Sequence, residues 1–374
     1  MNCFRNATVY VEGRGLIKTD LSFDARIRGI GDGDGEEIAL PEGAIVLPGF
    51  VDEHIHGADG HDGMDATKEA LTALAKALPR EGTTAFLVTT MTDQKEKILG
   101  ALSTVRDHQN GDGANILGVH LEGPFLSPDY AGAQAKEHLL APSAKIFDEF
   151  QDAAGGKIRL VTIAPELPGA KELISHLVVS GVHVSLGHSG ATYDEAQNAL
   201  SLGADSVTHT YNAMSKIHHR DLGLAGAALL CDNLYAELIC DGHHVSFPAV
   251  ELLVKNKASD KLILITDSMR AKYLPDGVSE LGGQTVIVKN GEARLENGTL
   301  AGSLLKMNEA VRNLSKIPGC SLLQAVDAAT INPARHLRID GDRGSIAIGK
   351  RADFAVVDQN FNILSTYVGG KRVF

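Results

Sequence analysis

The sequence predicts an α/β protein, a (β/α)8 TIM-like barrel with a small β-sandwich module formed from both chain termini. Apolar strands alternate with amphipathic helices through the middle of the chain, and eight such strands can be counted. Both ends are instead β-rich and carry glycine turns. An open doubly wound sheet is the alternative, but it normally has a Gly-rich phosphate turn after its first strand, where this chain has His-Ile-His. We therefore expect a closed barrel.

The composition limits the classes of partner and compartment. The formal net charge of -12 argues against nucleic acid as a partner, because such binding depends on clustered lysines and arginines. The 4 cysteines contain no CxxC pair, so we read them as small core residues in a reducing compartment. We see no long apolar run of the signal-peptide or membrane-spanning kind. We expect a cytoplasmic protein that binds neither nucleic acid nor membranes.

The two ends of the chain predict one module. Residues 1–46 and 345–374 are assigned to it, and residues 47–344 to the barrel. Ala7–Val11 alternates as a strand, Ala352–Val357 is an apolar strand, and Ile363–Val373 fits a strand, a Gly-Gly turn and a second strand. Because chain termini commonly lie close together, the two ends can share one sheet.

Strand patterns and helix patterns of apolar residues alternate through the middle of the chain. The first barrel strand lies in LPGFVDEHIHG, with Val46, Leu47, Phe50 and Val51 as its apolar residues. The strands predicted after it are Thr83–Thr89, Ile116–Leu121, Ile158–Ile163, Val182–Leu186, Ser206–Thr208, Tyr235–Cys240 and Leu262–Ile265. Apolar residues three or four positions apart predict the helices between them. One helix is predicted around Leu71–Leu78 and a second begins at Asp93. The others cover Ala170–Ser180, Thr192–Leu202, Phe247–Asn256 and Leu304–Ile317. Asp93 with Glu96, and Thr192 with Glu195, fit the capping-box pattern.

Polar side chains follow the predicted strands at the end where barrel enzymes keep their working residues. His54 and His56 lie two positions apart, so they project from the same face of the first strand. Later strands are followed by Glu122, His188, His209, His244 and Asp267. Each has a structural alternative, since a strand-end histidine or Asp267 can simply cap the next helix. Seven such polar side chains at one rim predict a catalytic divalent metal ion. The ion could be Zn, Fe or Mn, because these metals accept overlapping sets of ligands.

Several blocks resemble a known family. LPGFVDEHIHG, TDSM and GSIAIGKRADFAVVD are similar to motifs of the amidohydrolase superfamily. More narrowly, HLEGPF, GHSGATYDEA, THTYNAM, DGHHV, TDSMRA, TLAGS and TINPA resemble the N-acetylglucosamine-6-phosphate deacetylases, in the same order from about Leu47 to the C-terminus. The resemblance implies hydrolysis of the acetamide of N-acetyl-D-glucosamine 6-phosphate to D-glucosamine 6-phosphate and acetate.

The resemblance also implies roles for the strand-end residues. Glu122, His188 and His209 would form the principal metal site. Some members lack the His54–His56 pair, so its presence allows a second ion. Asp267 would act as general base towards a metal-activated water and then as acid towards the leaving amine, while His244 would orient the substrate and polarise its carbonyl.

Substrate contacts are implied for a further set of residues: Ala133, Gln134, Asn212, Ala213, Arg220, Leu300, Ala301 and Gly302. The arginine equivalent to Arg220 comes from the neighbouring subunit in the family, which implies a homodimer. From composition alone, Arg220 with its neighbouring histidines could equally be a solvated loop. Members often carry His where this chain has Gln134, so a sugar or phosphate contact would come from an uncharged amide, or Gln134 is only a loop residue.

Other functions remain open at this point. One is an N-acetylgalactosamine-6-phosphate deacetylase, or another amidohydrolase or deaminase on the same barrel. No lysine occupies a strand end as a carbamate bridge, which weakens a hydantoinase assignment. The remote alternative is a non-catalytic scaffold, which would be expected to have lost some of its metal ligands, and here the predicted ligands are intact.

Overall fold

The computed structural model describes residues 1–374. The strands, numbered along the chain, are β1 (Asn2–Val11), β2 (Gly15–Phe23), β3 (Ile27–Ile30), β4 (Glu36–Glu37), β5 (Ile45–Pro48), β6 (Phe50–Ile55), β7 (Gly57–Ala58), β8 (His61–Asp62), β9 (Thr83–Thr89), β10 (Asn115–Glu122), β11 (Ile158–Ile163), β12 (His183–Leu186), β13 (Ser206–Val207), β14 (Tyr235–Leu238), β15 (Leu262–Leu264), β16 (Gly277–Leu281), β17 (Gln284–Lys289), β18 (Glu292–Leu295), β19 (Phe354–Val357), β20 (Ile363–Val368) and β21 (Lys371–Arg372).

The α-helices are α1 (Lys68–Ala77), α2 (Lys95–Asp107), α3 (Ala144–Ala153), α4 (Ala170–Val179), α5 (Tyr193–Ser201), α6 (Gly223–Leu230), α7 (Phe247–Asn256), α8 (Met307–Leu314), α9 (Leu322–Asp327) and α10 (Ile331–His336). Short 3-10 helices lie at Gly63–Asp65, Leu78–Glu81, Pro128–Tyr130, Lys136–His138 and Ser259–Lys261. No helix has both the length and the apolar character needed to cross a membrane.

Eight parallel strands form the barrel in chain order, β6, β9, β10, β11, β12, β13, β14 and β15. They are almost entirely buried, because helices cover the outside and side chains fill the inside. The first and last strands meet through hydrogen bonds just beyond β15: the Asp267 N–H donates to the His54 carbonyl at 2.9 Å, and the His56 N–H donates to Ser268 at 3.0 Å. The predicted (β/α)8 barrel is confirmed, and its closure puts the first and last strand-end residues side by side.

Both chain ends build the second large sheet, whose order is β21-β20-β19-β5-β1-β2-β3, with β4 beside β1. The sheet curves so strongly that aromatic side chains from distant strands meet, with Phe4 and Tyr367 ring centroids 5.3 Å apart and those of Phe23 and Phe354 5.1 Å apart. A sheet contributed by both termini was expected and is present. The division at residues 46/47 and 344/345 stays a prediction.

The strand predicted to open the barrel is divided into two strands in the structure. Gly49 separates β5, which pairs with β19 of the terminal sheet, from β6 of the barrel. A Cβ atom at Gly49 would lie 2.3 Å from the side chain of Thr84, so only glycine lets the chain cross between the sheets this closely. Val46 and Leu47 therefore belong to the terminal sheet.

Helix prediction was accurate in places and wrong in one capping motif. The α7 bounds match, and Thr192 with Glu195 forms the expected capping box of α5. The capping box predicted for Asp93 and Glu96 is wrong, because α2 begins at Lys95 and its N-cap residue, Gln94, makes no side-chain capping hydrogen bond. Helices α3, α6, α9 and α10, and the three-stranded antiparallel sheet of β16, β17 and β18, were not predicted.

Candidate active site

The seven strand-end residues lie at the C-terminal rim of the barrel. His54 is the fifth of the six residues of β6, and Glu122 is the last residue of β10. His188, His209, His244 and Asp267 lie in the segments that follow β12, β13, β14 and β15, respectively. All but His244 are buried, so the site is built from side chains that point inward.

Glu122, His188 and His209 form the tightest group. Glu122 Oε1 lies 3.2 Å from the Nε2 atoms of both His188 and His209. Those two Nε2 atoms are 3.1 Å apart. One carboxylate oxygen and two imidazole nitrogens thus converge on the same small volume.

His54, His56 and Asp267 form a second group against the same glutamate. Asp267 Oδ1 lies 3.2 Å from His56 Nε2 and 3.5 Å from His54 Nε2. His56 Nε2 is also 3.2 Å from Glu122 Oε2. Glu122 Oε1, which faces His188 and His209, also lies 3.5 Å from His54 Nε2, so the carboxylate stands between the two groups.

Electrostatic coupling at this rim is strong. Burial by itself would raise the pKa of Glu122, but His54, His188 and His209 outweigh it and hold the pKa well below its usual range. Burial by itself would lower the pKa of His56, yet Asp267 and Glu122 raise that pKa to about 9. The buried carboxylates and imidazoles thus stabilise each other's charged forms.

The backbone is strained where the groups meet. His188, His209 and Asp267 have φ values of 47°, 31° and 46°, in the left-handed region that non-glycine residues rarely adopt. Ala213 lies there too, at 46°. Such conformations persist only where surrounding contacts hold them, and they concentrate at functional sites.

Two further contacts fix the orientation of the ligand-type side chains. The Nδ1 atom of His188 donates to the Tyr130 carbonyl at 2.9 Å, so its Nε2 is the nitrogen left for another partner. Gln134 Nε2 donates to Glu122 Oε2 at 2.9 Å, while its Oε1 accepts from the Thr92 N–H at 2.7 Å. Gln134 is thus tied to the glutamate from within the wall of the cavity.

A cavity of about 310 Å³ opens over this rim. Most of the residues predicted for the site line this cavity: His56, Glu122, His188, His209, Asn212, Ala213, His244, Asp267, Leu300 and Gly302. Ala133 and Gln134 line it as well, with Leu281 contributed by β16. His54 lies beneath the cavity and is fully buried.

Two predicted substrate residues do not line this cavity. Ala301 is fully buried, and its N–H donates to the Ala293 carbonyl. Arg220 is exposed and lines a separate surface depression with His219, to which its guanidinium donates at 2.9 Å. The roles of both residues stay predictions.

Sequence reasoning missed several residues that shape the rim. Asp129, Tyr130 and Met91 line the cavity, and Glu237 hydrogen-bonds to His54 from inside the barrel. The sequence signal for Glu237 is a charged residue within an otherwise mostly apolar strand.

The residues at this rim fit a metal ion. His54 Nε2 is buried and has no hydrogen-bond partner although three carboxylates surround its ring. The facing Nε2 atoms of His188 and His209, with a carboxylate oxygen beside both, form a donor set suited to a divalent cation. The unpartnered nitrogen and the convergent donors are explained together if this rim binds a metal ion.

An eight-stranded barrel with carboxylate and imidazole donors converging at its C-terminal rim defines the class of metal-dependent barrel enzymes. The model of the amidohydrolase family matches residues 45–373. This chain belongs to the amidohydrolase family.

Relatives within the family narrow the comparison. The chain is 44% identical over 344 residues to an N-acetylglucosamine-6-phosphate deacetylase of Bacillus subtilis, covering 91% of this chain and 87% of the relative. It is 37% identical over 329 residues to an N-acetylgalactosamine-6-phosphate deacetylase of Escherichia coli O157:H7, with 87% of each chain covered. A crystallised mutant of the Mycobacterium smegmatis N-acetyl-D-glucosamine-6-phosphate deacetylase, in complex with N-acetyl-D-glucosamine-6-phosphate, aligns with a TM-score of 0.91 and 32% identity, covering 99% of this chain and 98% of that one.

Proposed function

We propose that this protein hydrolyses the acetamide of N-acetyl-D-glucosamine 6-phosphate, giving D-glucosamine 6-phosphate and acetate. The observation that carries the proposal is the position of Asp267, whose carboxylate borders the Glu122–His188–His209 group at one cavity. A carboxylate beside a metal-type donor set is the arrangement that amide hydrolysis requires. The identities with named deacetylases specify the substrate.

The metal would be held by this chain's own residues. Glu122, His188 and His209 provide one donor set, and His54 and His56 provide nitrogens for a second ion. When bound, a divalent ion such as Zn, Fe or Mn lowers the pKa of a water molecule and polarises a carbonyl group. Protein purified without chelator, analysed for its metals, tests both the identity of the ion and the number bound.

Asp267 and His244 would move the protons and orient the amide. Asp267 accepts a proton from the attacking water and delivers it to the leaving nitrogen, so one carboxylate acts as base and then acid. His244 Nδ1 donates to Asp241 Oδ2 at 2.7 Å. Burial would lower the pKa of His244, but Asp241 outweighs it and raises that pKa, so the charged ring has an Nε2–H that can donate to the acetyl oxygen. Because both residues line the cavity, both can reach one substrate.

The cavity of a single chain has no lysine or arginine side chain to bind a phosphate group. The residues that line it include Glu122, Asp129 and Asp267 but no lysine or arginine. A phosphate group needs a cation or several donors, and arginine offers a planar pair of N–H groups. We therefore propose a homodimer in which Arg220 reaches the neighbouring cavity, where Asn212 and Ala213 supply backbone contacts.

The test is release of acetate from matched sugars. Purified protein should release acetate from N-acetyl-D-glucosamine 6-phosphate, more slowly from the unphosphorylated sugar, and no ammonia. Ammonia without acetate would favour a deaminase, and no product in a metal-replete sample would contradict the enzyme proposal.

The galactosamine epimer of the substrate, N-acetyl-D-galactosamine 6-phosphate, is the second candidate, favoured by the 37% identity to an N-acetylgalactosamine-6-phosphate deacetylase. A higher kcat/KM for the galactosamine epimer would replace the main proposal. We place the protein in the cytoplasm, a location supported by four cysteines that are all free thiols.

A further inference from the structure

Glu237 lies behind the candidate metal rim and does not line the cavity. It belongs to β14, is fully buried, and projects into the barrel. We propose that Glu237 is a positioning residue that presents His54 and His209 to the metal and thereby sets the metal affinity of the site. The inference rests on the proposed metal-dependent function, but it concerns a residue that lies outside the cavity and is not one of the proposed ligands.

A single oxygen of Glu237 makes both contacts. Its Oε2 lies 3.0 Å from His54 Nδ1 and accepts the His209 backbone N–H at 3.1 Å. One side chain on β14 therefore connects the first strand, which carries His54, to the segment after β13, which carries His209. The Glu237 carbonyl also accepts from the Thr210 N–H at 2.8 Å, so the backbone next to His209 is held twice.

The contact with His54 determines which ring nitrogen is available. A carboxylate can only accept, so His54 Nδ1 carries a proton in either charge state of the ring, and Nε2, which faces the rim, is the nitrogen that a metal ion would bind. That Nε2 atom is buried without a hydrogen-bond partner. A carboxylate behind a ligating histidine fixes the ring and raises its basicity as a ligand.

The contact with His209 acts on the backbone. His209 has a φ of 31°, which this residue adopts only if its surroundings hold it. The N–H bond to Glu237 is part of that support. Removing the carboxylate would release the backbone of His209 as well as the His54 ring, so one ligand on β6 and one after β13 would lose their orientation together.

The experiment measures Zn²⁺ affinity without substrate, by competition with a chromophoric chelator. Glu237→Ala should weaken Zn²⁺ binding about 10- to 100-fold, and Glu237→Gln by less, because the amide oxygen still accepts both hydrogen bonds. The ¹⁵N chemical shifts of His54 should report a mixture of tautomers in Glu237→Ala and one tautomer in the wild type.

Thr162→Val is the matched control. Thr162 lies inside the same barrel and bonds His120 and Thr208, neither of which is a proposed ligand. Its Zn²⁺ affinity should equal that of the wild type. Thermal unfolding of metal-free protein identifies any variant that does not fold, and Glu237→Gln, which preserves shape, then carries the test.

Wild-type affinity in Glu237→Ala, or an equal loss in Thr162→Val, would overturn the proposal. These outcomes are separate from the proposed reaction. Absence of acetate release by the wild-type enzyme would contradict the deacetylase function and leave the Zn²⁺ comparison standing.

Discussion

Asp267, His188 and His209 show how the site is made at the scale of single residues. Each has a left-handed backbone, and each projects a polar side chain into the same cavity. Such conformations cost on the order of 1–3 kcal/mol each, so neighbouring contacts must supply the difference. The hydrogen bonds that His188 Nδ1 donates to the Tyr130 carbonyl and the His209 N–H donates to the Glu237 carboxylate are among these contacts.

Asp267→Asn tests the proton-transfer role. The amide cannot accept a proton from water, so kcat should fall about 10²- to 10⁴-fold. The ion at Glu122, His188 and His209 should remain bound, because these three residues are unchanged. Steady-state acetate release and metal analysis on one preparation check this, and near-normal kcat would exclude Asp267 as the acid and base.

Arg220→Ala tests the phosphate contact. KM for the phosphorylated sugar should rise about 10-fold or more, since a charge-assisted bidentate contact is lost. The kinetic parameters for the unphosphorylated sugar should be unchanged. Equal losses on both sugars would show that Arg220 affects the site in some other way.

At the scale of elements, a buried ion pair anchors the segment after β15 that carries Asp267. Lys272 Nζ lies 2.9 and 3.1 Å from the two oxygens of Glu81, and both side chains are fully buried. The Tyr273 hydroxyl donates to the same carboxylate at 2.8 Å. The segment is thereby fixed to the 3-10 helix Leu78–Glu81 that precedes β9.

Lys272→Met should lower the free energy of unfolding by about 3–5 kcal/mol, because Glu81 would be left as an unpaired buried charge. Adding Glu81→Gln should restore part of the loss. Lys255→Met removes an exposed pair with Glu251 and should cost less than about 1 kcal/mol. Urea unfolding of the four proteins checks this, and equal losses for Lys272→Met and Lys255→Met would contradict it.

At the scale of the whole molecule, a second polar network closes the opposite end of the barrel. Asp205 lies 2.6 Å from His183 Nδ1 and 3.5 Å from His336 Nε2, and Glu53 lies 2.9 Å from His336 Nδ1. These groups connect β6, β12 and α10. Burial would raise the pKa of Asp205, but His183 and His336 outweigh it and hold that pKa well below its usual range.

Asp205→Asn should therefore destabilise the protein in a pH-dependent manner. Because the pKa of Asp205 is lower in the folded state, its contribution is present above the unfolded pKa of about 3.9 and is lost as the pH falls through the folded value. We expect a loss of about 2 kcal/mol at pH 7, as for a hydrogen bond to a charged group. Urea unfolding between pH 3 and 7 checks this, and a difference that grows on acidification would contradict it.

The proposed homodimer predicts complementation. Arg220→Ala keeps its own Asp267, and an Asp267→Asn partner would supply the missing arginine. Random mixing of equal amounts puts half of the chains in hybrid dimers, and each hybrid dimer has one intact active site of two. About one quarter of wild-type activity should therefore return. Unfolding and refolding the two variants together, followed by acetate assays, tests this. No recovery would place Arg220 in its own chain's site or remove it from catalysis.

The sequence determined much of the framework. The apolar periods gave Thr83–Thr89, Ile158–Ile163 and Phe247–Asn256 with the observed bounds, because local side-chain patterns decide those elements. Parallel strands place their ends at one rim, so His54, Glu122 and Asp267 could be expected together before any contact was known. The sheet of β16, β17 and β18 was missed.

Only the tertiary structure decided which atoms meet. Glu237 contacts His54 across 183 positions of sequence, and His209 contacts Glu122 across 87. The structure also ties Gln134 to Glu122 and places Arg220 on the outer surface of its own chain. Local periodicity specifies which face of an element is buried, but contacts between distant elements depend on how the barrel closes, and that closure follows from the packing of all eight strands at once.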